Sequence, residues 1–291
     1  MKQGKEVENP ESRFFTVLLA AAKLPGVRIH REAYLRSALA RHCSEEEIRR
    51  AVEETPAAAG ITVELLDKVA NDSIRYETAK VSALSAAAGI PGILALPATV
   101  PADVAQYVGH MLRIAQKLAY LYSWPDLFSD EGDDVDDATM GVLTLFFGVM
   151  FGTQSANVAV GKVAGMMSKQ VAKKLPQKAL TKGVIYPLVK KSAAYLGVQM
   201  TKQSFAKTVS KAIPLVGAAV SGGLTFATYL PMAKRLKKHL AGLPLADPSR
   251  RVTEEDVVDG EVVEEYDSFA SADAEPHGAD TTAVKLEEPR S

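Results

Sequence analysis

From Ala138 to Ala246 the chain carries 15 Lys or Arg residues and not one Asp or Glu. Exposed helical surfaces ordinarily mix both signs, so a segment this long must either draw its counter-charges from elsewhere in the fold or show a basic face to an anionic partner. The rest of the sequence holds the opposite charge in blocks. Residues 1–125 are balanced at 15 basic against 14 acidic, Asp126 to Asp137 holds seven acidic residues and no basic one, and residues 247–291 hold 14 acidic against four basic. A net charge of −1 therefore reflects cancelling blocks.

The pattern of apolar residues predicts an all-α protein, a helical bundle with glycine- and proline-interrupted apolar helices or hairpins. Residues 14–55 read as two or three short helices separated by Leu24-Pro25-Gly26 and by His42-Cys43-Ser44. Ser44, followed by Glu46 and Glu47, suits a helix start, because a hydroxyl can cap free amides and carboxylates favour the positive end of the helix dipole. Thr55 to Gly60 marks a break. Residues 62–80 then form an amphipathic helix with Leu65, Leu66, Val69 and Ile74 inside and Lys68, Asp72, Arg75 and Lys80 outside. A second long helix is predicted over 103–122.

Three stretches lack charge altogether: 81–102, 138–161 and 212–233. In the first, Pro91, Pro97 and Pro101 with Gly89 and Gly92 argue for a broken hairpin of short helices. The other two are long enough to cross a bilayer, which takes about 20 apolar residues. Ser, Thr, Gln, Asn and Gly dilute them, so a buried or amphitropic helix is preferred to a permanent span, with partial insertion left open. The expected organisation is an N-terminal helical segment at 1–60, a helical domain at 61–246 and a disordered acidic tail at 247–291.

Conventional chemistry is missing from the sequence. Gly161-Lys162-Val163 has neither the upstream glycine nor the following hydroxyl of a phosphate loop, and there is no HExxH, GxSxG or cysteine pair. Cys43 cannot pair internally, and His30, His42, His110, His239 and His277 show no metal spacing. Neither metal nor cofactor is expected. The most enzyme-like set is Asp103, Gln106, Tyr107 and His110, spaced along one helix face. A structural role is preferred for it: Asp103 and Gln106 suit a capping box, and His110 can hydrogen-bond within a helix pair.

The cations are more informative. With 160–175 read as a helix, Lys162, Lys169 and Lys173 fall on one face and Val160, Val163, Met167 and Val171 opposite, as for a helix lying on an anionic membrane. Pro176 would end it, and Lys174, Lys178, Lys182, Lys190 and Lys191 continue the same sign. A second cluster, Lys234, Arg235, Lys237, Lys238 and His239, directly follows the third uncharged stretch, where basic residues suit anionic headgroups. Nucleic acid ranks below lipid as the partner, because Tyr186, Tyr195 and Phe205 are too sparse for a stacking platform.

IPGILALPATVPAD, then QYVGHMLRIAQKLAYLY with SWPDL, then KAIPLVGAAVSGGLTFATYLPMAKRLKKHL together resemble the EcsC protein family over about Leu24 to Leu240. Family members often have Gly where this chain has Ser123. The resemblance implies a bacterial helical protein with no established enzymatic activity and supplies no catalytic residues. Asp103, Trp124, Gly222 and Gly223 match its motifs, and packing roles suffice for them. With no signal peptide read at the start, the expectation is a non-enzymatic protein of the cytoplasm, peripheral to the inner face of the cell membrane. Its partner would be anionic lipid or a membrane-bound complex. The alternatives are a scaffold or regulator that binds an acidic protein, and an enzyme using the Asp103/His110 face.

Overall fold

Local signals in the chain account for several helix boundaries. In the computed structural model, which describes residues 9–88, 102–128, 135–170, 174–211 and 216–247, the N-terminal helices are α1 (Pro10–Ala22), α2 (Arg31–Leu39) and α3 (Glu45–Glu53). Ser44 caps α3 in a full capping box: its hydroxyl accepts from the Glu47 amide, and the Glu47 carboxylate accepts from the Ser44 amide. Two long helices follow, α4 (Val63–Ala88) and α5 (Ala102–Leu121). Leu66, Val69 and Ile74 are buried on α4, while Lys68, Asp72, Arg75 and Lys80 are exposed, as their spacing predicts. Helix α4 runs eight residues past its predicted end at Lys80, so 81–88, expected as part of a broken hairpin, continue it as an unbroken helix because the first helix breaker comes only at Gly89; 89–101 lie outside the described residues.

The second half of the bundle comprises α6 (Asp137–Phe151), α7 (Gln154–Gln170), α8 (Gln177–Thr181), α9 (Tyr186–Lys211) and α10 (Val216–Ala241). Among the described residues there is no strand. Asp136 starts α6 by accepting from the Ala138 and Thr139 amides at 2.9 and 3.0 Å. Every residue from Ala138 to Met150 is buried, with α5, α7, α8, α9 and α10 packed around. Helix α6 is thus the central post of the core. At about 1.5 Å per residue it is also too short to cross a hydrocarbon layer about 30 Å thick, and no described helix is long and apolar enough to cross a membrane.

Two features of the α6–α7 corner depart from the sequence reading. Helix α7 begins at Gln154, six residues before the predicted start at 160, because Gly152 takes a left-handed conformation (φ 84°) and turns the chain at once. Gly148 allows the two helices to close: a Cβ there would lie 2.5 Å from the Ala156 Cβ. Val160, Val163 and Met167 face the core as expected. Residues 171–173 lie outside the described residues; the described part of α7 ends at Gln170, and residues 174–176, predicted as the helix end and its stop, are non-helical, with Pro176 standing at the N-cap of α8.

Residues 9–60 share the core of the rest, since α1 packs on α5 and α9, and α2 on α5. Trp124 is fully buried and meets Phe146 of α6 edge-on at 4.9 Å between centroids. The tail from residue 248 onward lies outside the described residues.

Candidate functional site

Two places in the fold concentrate charge, one buried and one exposed. The buried one is built on α4 and α5. Glu77 sits on the apolar stripe of α4 with Ile74 and Val81 and is 0 % exposed. On the facing side of α5, His110, Arg113 and Lys117 are spaced by three and four, so all three reach the same point. Lys117 Nζ lies 2.8 Å from Glu77 Oε1, Arg113 Nη2 3.1 Å from the same oxygen, and His110 Nδ1 3.3 Å from Oε2.

Burial alone would push the Glu77 carboxyl up, but hydrogen bonds from His110, Arg113 and Lys117 and the Lys117 charge hold it well below the usual carboxylate range. Aromatic rings and carbonyls complete the cluster. Lys117 Nζ stands 5.5 and 5.3 Å from the Tyr34 and Tyr76 ring centroids, Arg113 also donates to the Gly26 carbonyl, and the Tyr229 hydroxyl donates to the His110 carbonyl at 2.9 Å. Glu77 thus ties α4 to α5, and Arg113 and the His110 carbonyl extend the cluster to the α1–α2 connection and to α10.

Three side chains of the Asp103 to His110 set are described. His110 is buried and engaged by Glu77 of another helix, Tyr107 is buried against α10 with its hydroxyl 3.5 Å from Thr228 Oγ1, and Gln106 is exposed. The Asp103 side chain lies outside the described ones. Sequence reasoning missed Glu77. The available signal was a carboxylate on an apolar stripe and a matching row of three bases one helix later.

The exposed charge lies in the acid-free half. Lys174, Lys178, Lys182 and Lys190 are exposed, and Lys191 is half-buried. Lys162 is half-buried on α7, while the side chain of Lys169 and all of Lys173 lie outside the described residues. On the last turns of α10, Lys234 and Lys238 are exposed.

Two other members of that cluster turn to the protein itself. Arg235 donates to the Met150 carbonyl at the end of α6, and Lys237 Nζ pairs with Asp67 Oδ2 at 2.8 Å. Burial lowers the His239 pKa, with the Asn157 backbone opposing. The α10 contribution to the basic surface is therefore Lys234, Lys238 and Arg235, which stays exposed while it donates to Met150. Gly222 and Gly223 fall within α10.

A cavity of about 930 Å³ opens between α2, α3, the Ser123–Asp126 turn, Met167 of α7 and Leu245. Its charged groups are engaged locally: Arg36 pairs with Glu32 at 2.8 Å, and Arg31 donates to the Val52, Ala51 and Glu54 carbonyls, filling the C-terminal end of α3. Among the described residues no group of His, Cys, Asp or Glu is placed to hold a metal ion.

No protein-family model matches the chain, and no curated protein or solved structure matches it. The candidate site therefore stands on its own geometry.

Proposed function

We propose that this is a non-catalytic helical protein that associates peripherally with an anionic membrane, or with a membrane-bound complex, at the cytoplasmic face. Kinship with the EcsC family belongs to the same proposal. The observation that carries it is the exposed series Lys174, Lys178, Lys182 and Lys190 within a segment that contains no carboxylate. Charges of one sign on a surface gain most from a partner with many charges of the other, and each Lys near an anionic leaflet contributes about 1 kcal/mol. Association is peripheral in this reading because the side chains of α6 are consumed by the core.

Catalysis at His110 has less support. His110 is buried, and its carboxylate neighbour Glu77 is already engaged by Arg113 and Lys117. The direct test is flotation of the full chain with vesicles of phosphatidylcholine alone or mixed with phosphatidylserine. Binding is expected only to the anionic vesicles and is expected to vanish near 1 M salt, where the Debye length is about 3 Å. Equal flotation with both lipids, or with neither, would contradict the proposal, and in the second case an acidic protein partner becomes the better reading.

A further inference from the structure

One exposed valine on a surface needs no explanation. The turn between α8 and α9 holds more than that. Leu180 and Ile185 are buried on either side of it, with Leu180 set against Gly141 of α6. The Ile185 amide donates to the Ala179 carbonyl at 3.3 Å, and the Tyr186 amide donates to the Gly183 carbonyl at 3.1 Å. Pinned at both ends, the turn holds Val184 outward at 73 % exposure beside Tyr186 at 37 %. Lys178, Lys182 and Lys190 are exposed around them, and Lys190 Nζ stands 5.4 Å from the Tyr186 ring centroid.

We infer that the Lys182–Lys190 turn is the lipid-contacting tip of the protein: Val184 and Tyr186 enter the headgroup boundary of an anionic leaflet while Lys178, Lys182 and Lys190 meet its charges. This rests on the peripheral-membrane reading and names the contact point. Tyrosine suits that boundary because its ring is apolar and its hydroxyl is wet, and lysine stems cover apolar surface while their ammonium groups stay with the headgroups. Among the described residues two carboxylates approach the segment. Glu11 Oε1 lies 3.9 Å from Lys190 Nζ, and Asp136 accepts from the Gln177 side chain at 3.2 Å at the start of α8 while also capping α6. A second copy docked by a two-fold axis would set these lysines against one another, so lipid is the better occupant.

The full chain carrying Val184→Trp tests this, because the native Trp124 is buried beyond the reach of lipid quenchers. With phosphatidylserine-containing vesicles the introduced indole should shift to the blue and be quenched by brominated acyl chains. The double variant Val184→Ser/Tyr186→Ser should bind the same vesicles about tenfold more weakly, the loss expected when about one large apolar side chain stays in water. If the native protein floats with anionic vesicles while the indole is not quenched and the serine variant binds as the native does, the tip is wrong and the basic-surface reading survives. If the native protein does not float at all, both fall. A serine variant whose mass in solution changes while its flotation does not would make the turn a self-association contact and overturn the inference.

Discussion

Glu77 shows how much one side chain can organise. Removing its charge in Glu77→Gln leaves the buried Lys117 and the half-buried Arg113 without their charged partner, and breaking a buried ion pair from one side costs about 3–5 kcal/mol. Urea unfolding should show a loss of that order, whereas Arg75→Gln on the exposed side of the same helix should be indistinguishable from native. The pH dependence has a definite sign. Because the folded-state pKa is lowered, the charge contributes fully above the unfolded value of about 4.3 and progressively less as pH falls below it. The gap between native protein and Glu77→Gln should therefore narrow on acidification below about pH 4.3. An unchanged gap at pH 3 would show that Glu77 is not held ionised.

Ser123 is the other informative residue. It has φ 69°, in the left-handed region, where glycine is the natural occupant after a helix end. That explains in physical terms why glycine suits this position. What serine adds is a hydroxyl that accepts from the Ala57 amide at 3.1 Å. Ser123→Gly exchanges backbone strain against that hydrogen bond and should change stability by less than about 1 kcal/mol, while Ser123→Ala keeps the strain and orphans the amide at about 1–3 kcal/mol. Thermal unfolding of the two variants checks the order.

At the scale of elements, legibility followed the kind of signal. Helix α4 was legible as far as Lys80 from its 3.6-residue periodicity, α3 from the Ser44 cap, and α6 from its lack of charge as a buried or amphitropic helix. The α4–α5 charge cluster was not, because periodicity places residues on faces and says nothing about which faces meet. His110 was noticed with Asp103 of its own helix, yet the partner that the fold supplies is 33 residues upstream. Lys237 was grouped with Lys234, Arg235 and Lys238 for the same reason: a charge cluster in sequence spreads around a helix, and Lys237 turns to Asp67 while the other three stay exposed. The α6–α7 corner offers a test at this scale. Gly148→Ala places a Cβ 2.5 Å from the Ala156 Cβ and must separate two packed helices, at about 1–3 kcal/mol. Adding Ala156→Gly should recover part of the loss; no recovery in chemical unfolding would mean the helices do not meet there.

For the whole molecule, the separation of charge is the organising fact. In the balanced first half several cations meet carboxylates of the same half, with Glu77 serving Arg113 and Lys117, and Glu46 and Glu53 serving Arg49. The acid-free half borrows a few carboxylates, Asp67 for Lys237 and Glu11 for Lys190, and leaves a series of lysines facing outward. Flotation of two triple charge reversals with phosphatidylserine-containing vesicles compares these halves directly. Lys178→Glu/Lys182→Glu/Lys190→Glu should lower vesicle affinity by at least about a hundredfold, since three attractions of about 1 kcal/mol are lost. Lys68→Glu/Arg75→Glu/Lys80→Glu, with the same change in net charge, should lower it far less; equal losses from the two variants would contradict a basic docking surface in the second half of the chain.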